Sequence, residues 1–443
     1  MGRASGAKAS LQWLVKTVRE LCGAAAVPSP TIQEPEVILD KASVVVVGGG
    51  IVGVSTAYFL ASKGHEVVLL EQRELASGAS GRNLGYLHLH HRNPGYALEV
   101  ARLGRTLYDG FAELLGPTFE FRANGSMTFF YTDDQRRVFE EYVALRNTHG
   151  LSMELLDADA AHEAAPILPP DVIGATFSSE CGQIRTPKFV RALAQEAKRR
   201  GVRIHEHTPV MGLLREGPRV VGVRTTAGDV PAERVVWCGG AWSRSLEAEG
   251  IKVPIKPERL GAVLLAPVPE HLDKILNGPL AAKKYALVRS LPSYRDEYFT
   301  SPSEDPAHGI EYVECVSQTE DGNLFIGSSM DFPEQLDDRM PVAGLKMTIE
   351  ALLRTFPRYQ MLGIERAWTG LLPATSDSLP IVDEVDELPG LVLATGHVYG
   401  NLAGPITGQL VAELISGEEL TLPIDELALD RPTLTETDGV IRW

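Results

Sequence analysis

Ser43-Val44-Val45-Val46-Val47-Gly48-Gly49-Gly50-Ile51-Val52-Gly53, continuing to Glu71, decides how this chain folds. Four successive valines are β-branched and apolar, which suits a strand buried on both faces of a parallel sheet. Gly48, Gly50 and Gly53 then fall on the G-x-G-x-x-G spacing. Val54 to Lys63 reads as a helix with Ala57, Leu60 and Ala61 inward, and His65 to Leu70 supplies a second strand with Glu71 at its end. Each part has a physical role. Gly48 permits the tight turn, Gly50 lets a pyrophosphate approach the backbone, and Gly53 lets helix and strand pack closely. Ile51 and Val52 lead into the helix, whose N-terminus places free N–H groups and a positive dipole end against the phosphates. Glu71, followed by Gln72, accepts hydrogen bonds from ribose hydroxyls. A glycine triplet alone is weak evidence; strand, helix, second strand and terminal acid in this order specify a dinucleotide site. The competing reading is a glycine-rich turn in a nucleotide-free α/β domain.

Composition bounds the rest. A chain of 443 residues is long enough for two or three domains. Its net charge of −16 argues against a nucleic-acid partner, because phosphate binding needs a basic face. No run has transmembrane length, and no signal-peptide core is visible. Cys22, Cys181, Cys238 and Cys315 lie far apart without metal-ligand or CxxC spacing, which fits a reducing, cytoplasmic compartment. Residues 1–42 read as a helical extension and linker. Leu11, Leu14, Val15, Val18, Leu21 and Cys22 follow helical spacing, and Arg3, Lys8, Lys16 and Arg19 face no acid in the first nineteen residues. Such a helix docks on its own protein, or serves as a transit peptide or a peripheral membrane contact. Pro28, Pro30 and Pro35 make the linker stiff.

The C-terminal part repeats the logic of the opening. Leu391 to Thr395 is a buried-strand pattern, Gly396 to Gly404 a loop, and Pro405 sits where a first helical residue should. Ile406, Leu410, Val411, Leu414 and Ile415 give the helix an apolar face, and Gly417 stops it. Between the two glycine loops, residues 96–165 read as two helices around a Gly125-to-Tyr131 strand. Residues 256–335 are strand-rich, with a polar excursion at Pro292–Gly309 that serves as a lid or a surface loop.

After Glu71 comes Leu75-Ala76-Ser77-Gly78-Ala79-Ser80-Gly81-Arg82-Asn83-Leu84-Gly85, the small-residue loop needed where a bulky ligand lies against backbone. Together with Cys238-Gly239-Gly240-Ala241-Trp242-Ser243, Trp368-Thr369-Gly370, Asp377-Ser378-Leu379-Pro380-Ile381 and Thr395-Gly396-His397, it resembles the D-amino-acid oxidase family of flavoenzymes over residues 43 to 425. The resemblance implies an α/β architecture, a Rossmann-type FAD-binding domain of glutathione-reductase-like type interleaved with an antiparallel-sheet substrate domain. The first would comprise 43–95, 166–255 and 366–430, the second 96–165 and 256–365, with 431–443 a C-terminal tail. It further implies one non-covalent FAD, held by the opening motif and by Ala79, Ser80, Arg82, Asn83, Leu84, Gly85, Val210, Gly239, Trp242, Gly396, Gly400, Asn401 and Leu402.

The chemistry implied is oxidation of a C–N bond of an amine or N-substituted amino acid. Hydride passes to flavin N5, the imine is hydrolysed by water, and O2 or another acceptor reoxidises the cofactor. Candidates for chemistry are His88, His397, Tyr399 and Tyr312. His88, His90 and His91 stand close together, but their spacing lacks the acidic neighbours of a metal site, so they read as loop histidines near the flavin. Two departures bear on the substrate. In W-x-G-x-R-P relatives an Arg holds the substrate carboxylate, whereas here Leu372 takes its place; and the carboxylate-binding lysine of sarcosine-oxidase-type members aligns with Gly400. Their oxygen-activating lysine aligns with Phe325, which tilts the reading toward a dehydrogenase. Either the substrate lacks an α-carboxylate, or another cation such as Arg289 or Arg295 binds it. A nicotinamide-dependent dehydrogenase and a non-catalytic flavoprotein subunit are the rival classes. Homo-oligomerisation is left open.

Overall fold

The computed structural model describes residues 41–300, 309–436 and 440–443. The amphipathic segment Leu11–Cys22, the proline linker and the middle of the Pro292–Gly309 excursion lie outside these residues. The described residues form one compact unit.

The valine strand, Ala42–Val47, lies inside a sheet and is buried along almost its whole length. It pairs in parallel with Gly228–Trp237 on one side and Val67–Leu70 on the other. The sheet runs Ile381–Glu384, Leu391–Thr395, Gly228–Trp237, Ala42–Val47, Val67–Leu70, Arg203–His205. Ile381–Glu384 is the antiparallel strand of this path. Val210–Glu216 and Arg219–Thr225 extend from Gly228–Trp237 as an antiparallel meander. Strands buried on both faces need apolar side chains in both directions, which is why Val44 to Val47 and Leu391 to Ala394 are apolar without alternation.

Helices Ile51–Ser62 and Gly400–Ser416 cross closely over this sheet. A Cβ at Gly408 would lie 2.6 Å from the backbone of Ser55 and Thr56, so glycine sets their separation. The second helix begins at Gly400, five residues before the expected start, and Pro405 is inside it. A proline there lacks the N–H that would bond the Asn401 carbonyl. The Tyr108 hydroxyl supplies the missing donor to that carbonyl, so the helix continues through the proline.

The second sheet runs Ile364–Ala374, Lys256–Pro267, Asn323–Asp331, Glu311–Gln318, Ile275–Asn277, Ser126–Phe130, Gly174–Ser178, Met153–Asp157. Its pairings are antiparallel except where Ile275–Asn277 meets Ser126–Phe130. Two strands that the sequence places with the nucleotide part, Gly174–Ser178 and Ile364–Ala374, belong to this sheet. Local pattern gives a strand its faces but not its partner, so these boundaries are corrected here. Residues 431–443 are also more than a tail: Arg431, Leu434, Ile441 and Trp443 are buried.

Candidate active site

The opening glycines act through the room they leave. Gly48 has φ +108°, and a Cβ there would lie 2.5 Å from the Cys238 carbonyl oxygen; one at Gly53 would lie 1.9 Å from the Gly48 oxygen. A side chain at either position would push strand, turn and helix apart. Gly50 stays open to a cleft that Gly48, Ile51, Val52, Glu71, Gln72 and Val210 also line, with Gly239 and Trp242 opposite. The buried Glu71 carboxylate accepts the Gly49 N–H at 2.7 Å and the Arg73 N–H at 2.8 Å, which fixes the turn to the end of the second strand. The Ile51 N–H, at the helix start, donates to the Ser80 hydroxyl at 2.9 Å.

Asn83 ties the next loop together. Its Oδ1 accepts from the Gly85 N–H, the Thr186 hydroxyl and Asn401 Nδ2, and its Nδ2 donates to the carbonyls of Ala79 and Ser80. Arg82 donates to the Ser77 and Thr369 carbonyls and pairs with Asp338 at 2.8 Å. The two glycine loops thereby meet each other and the edge of the second sheet.

Ile51, Ala79, Ser80, His397 and Gly400 line both the cleft and an adjoining cavity. That cavity continues past Arg82, Asn83, Leu84 and Gly85 on one side and Asn401, Leu402 and Leu372 on another. The sequence-assigned residues therefore converge on one continuous space, with two exceptions that stand behind it. Gly53 is enclosed between helix and turn. Gly396 has φ +74° and packs toward Thr375 and Ile381, so it shapes the loop without facing the ligand space.

Of the four candidates for chemistry, His88, His397 and Tyr399 line the cavity. Tyr312 does not; it packs with Ile310, Met347 and Ala351 under helix Val342–Thr355, while its strand neighbours Val313 and Cys315 reach the cavity. A bulge in the pairing of this strand breaks simple alternation, and Tyr312 is withdrawn as a candidate. His397 Nε2 shares a hydrogen bond with the Thr407 hydroxyl at 2.9 Å, and His88 Nε2 shares one with Ser126 Oγ at 3.2 Å. Burial lowers both imidazoles to about 3, with Arg92 adding to the effect at His88, so both are neutral at ordinary pH. His90 and His91 are buried behind His88, also lowered by burial, and His91 stacks on Tyr285 at 3.5 Å. The ligand nitrogens of the three lie within 4.8 Å of one another.

The cations put forward from the sequence are elsewhere. Arg289 pairs with Asp296 at 2.6 Å, Arg295 donates to the Pro292 and Tyr294 carbonyls, and neither lines the cavity. Sequence reasoning missed Arg92, Asn277, Tyr285 and Trp443, all of which do. Trp443 is held from below: its indole N–H donates to Glu258 at 3.0 Å, and Lys284 Nζ bonds the same carboxylate and the Ile441 carbonyl. Burial raises the Glu258 carboxyl against the opposing pull of Lys284. The buried Ile441 and Trp443 were a readable sign of a docked segment.

Taken together, a glycine turn opening a helix, a buried acid at the end of the second strand, a second glycine loop opening a helix and an adjoining cavity fit a dinucleotide-dependent oxidoreductase. The site fits FAD, since the cleft lined by Gly48, Gly50 and Gly239 adjoins the cavity through the shared Ile51, Ala79, Ser80, His397 and Gly400, where a ring system would lie. The family model described as DAO, FAD dependent oxidoreductase, matches residues 43–414, and the chain belongs to that family. This decides for flavin over nicotinamide. The chain is 26% identical to glycine oxidase of Pseudomonas putida, covering 85% of this chain and 95% of the relative. It is 27% identical to sarcosine oxidase subunit beta of Rhizobium meliloti, over 84% of each chain. Among solved structures it resembles glycine oxidase from Geobacillus kaustophilus, with a TM-score of 0.75 at 24% identity, covering 88% of this chain and 99% of that one. L-proline dehydrogenase from P. horikoshii gives a TM-score of 0.72 at 25% identity, covering 88% and 98%. No helix among the described residues is long and apolar enough to cross a membrane.

Proposed function

We propose that this enzyme oxidises the C–N bond of an amine or N-substituted amino acid to an imine, which water then hydrolyses. The observation that carries the reading is the cavity itself, continuous with the dinucleotide cleft and walled by Leu372, His397 and Tyr399. The names of the relatives, glycine and sarcosine oxidases among them, support an amino-acid-like substrate. Bound FAD supplies the hydride acceptor. The chain's own residues hold and orient. Gly48, Gly50 and the first turn of Ile51–Ser62 receive the pyrophosphate, and Glu71 receives the ribose. The N-terminus of Gly400–Ser416, with no acid in its first turn, presents its positive dipole end where negative charge develops on reduction. His88 and His397 stay neutral, so an amine that arrives unprotonated needs no charged base.

Leu372 faces Glu258 across paired strands at the cavity wall. An apolar side chain there suits an apolar or neutral part of the substrate, because an unpaired guanidinium in its place would be costly to bury. Anaerobic mixing of the yellow holoenzyme with a panel of amines, N-methyl amino acids, D-amino acids and opines tests the reading. Flavin bleaching is expected to be fastest with N-substituted substrates, and Leu372→Arg is expected to slow it by about a hundredfold, the scale of a ~1 Å misplacement of the reacting geometry. Bleaching by none of them overturns the amine reading. Glycine or D-alanine as best substrates, improved by Leu372→Arg, overturns the assignment of Leu372.

A further inference from the structure

We propose that Arg92 is the anion anchor of the substrate cavity, so that the amine oxidised there carries a carboxylate. The proposal takes from the preceding reading only that the occupant is an amine; the anion site stands on its own geometry.

Arg92 follows the strand Tyr86–Leu87 and is almost completely buried, yet its side chain lines the cavity. Its Nε donates to the His88 carbonyl at 3.1 Å, which aims the guanidinium, and the group lies over the ring of Tyr399. Nη1 is buried without a hydrogen-bond partner, and no carboxylate pairs with Arg92 among the described residues. Arginine cannot shed its proton in a protein, so the charge stays and calls for a counter-ion. The cavity beside it is lined by Arg82, His88, Asn277, Tyr285 and Tyr399 among others, and no carboxylate is among its lining residues. The ionised neighbour that bears on Arg92 is Arg146, of the same sign. A planar carboxylate answers this site: it accepts from the guanidinium by charge-assisted hydrogen bonds and cancels a buried charge that is otherwise unpaired.

The same cluster argues against the other ligand it suggests. His88, His90 and His91 place nitrogens at metal-binding separations, but the charged groups acting on them are Arg92 and Arg146. Two guanidiniums repel a divalent cation and attract an anion.

Oxidised holoenzyme, titrated with benzoate against benzamide and acetate against acetamide at fixed ionic strength, gives a readout in the flavin absorbance that needs no turnover. Wild type is expected to bind each carboxylate about tenfold or more tighter than its amide, the scale of a hydrogen bond to a charged group. Arg92→Gln is expected to lose that preference while keeping its FAD, and Arg92→Lys to keep part of it. With the best substrate, Arg92→Gln should raise KM more than it lowers the limiting rate of flavin reduction. Equal binding of acid and amide by wild type overturns the proposal, as does a preference left intact in Arg92→Gln. If Arg92→Gln does not fold, the wild-type preference and its reduction in Arg92→Lys still decide. Carboxylate preference through Arg92 in a protein whose flavin no amine bleaches would support the anchor and overturn the amine reading alone.

Discussion

The dinucleotide cleft and the substrate cavity adjoin, share His397 and Gly400, and are built on opposite principles. The cleft is organised around main chain at its opening turn. From Gly48 to Glu71 one contiguous stretch supplies turn, helix start and acid, and its key bond joins Gly49 to Glu71, twenty-two residues apart. The cavity is made of side chains from remote segments: Arg92, Asn277, Tyr285, Leu372, Tyr399 and Trp443. The bond that steadies its wall, from Trp443 to Glu258, spans 185 residues. Backbone sites demand particular residue types at particular spacings, and so they are written locally. Side-chain sites demand only that distant segments pack, and many residue types satisfy that.

The contrast can be broken experimentally. The largest effect is expected from Gly53→Val. Its Cβ would lie 1.9 Å from the Gly48 oxygen, so the variant should lose about 3 kcal/mol or more of stability, at the upper end for overpacking, and retain no flavin. Gly110→Ala, in a helix where nothing lies within 4 Å of a Cβ, is the control and should keep both. Flavin content and urea midpoints of the two variants check this.

An effect on stability alone, without loss of flavin, is expected in the wall of the cavity. Lys284→Met leaves Glu258 buried and unpaired, which should cost about 3–5 kcal/mol. Replacing both partners, Glu258→Gln with Lys284→Met, should recover much of it. Because neither residue lines the cleft, FAD per folded molecule should stay at the wild-type ratio. Flavin loss in step with stability would show that cleft and wall are one cooperative structure.

The smallest effect concerns pH. His88 and His397 are held at about 3 in the folded protein, against an ordinary value of 6.5. The unfolded chain therefore binds protons that the folded one refuses, and stability, complete above about pH 6.5, declines as pH falls toward 3. Thermal melts at pH 7.5 and 5 should differ in that direction. No histidine ionisation should appear in the rate of flavin reduction between pH 5 and 9. An inflection near 6.5 that His88→Asn or His397→Gln removes would contradict the neutral cavity.

Much of the fold was legible. The valine strand and the first glycine turn stand where apolar pattern and glycine spacing put them. Local signals misled where tertiary partners intervened. Pro405 looked like a helix start, yet Tyr108 satisfies the carbonyl that the proline leaves open. Tyr312 looked like a pocket residue, but a bulge and helix Val342–Thr355 place it in a separate apolar cluster. Arg289 and Arg295 were put forward as cations for a carboxylate, and they are engaged with Asp296 and the Pro292 carbonyl instead.

By itself, the sequence determined the glycine turn of the dinucleotide cleft, because strand, turn and helix approach too closely there to tolerate a side chain at Gly48 or Gly53. It also pointed to the family, through five motifs in fixed order. Only the tertiary structure decided which strands join which sheet, that Trp443 lines the cavity, and that Arg92 lines it with no carboxylate beside it. Those facts depend on burial and on contacts across hundreds of residues. An arginine in a loop reads the same in sequence whether it meets water or a closed cavity, and packing alone settles which.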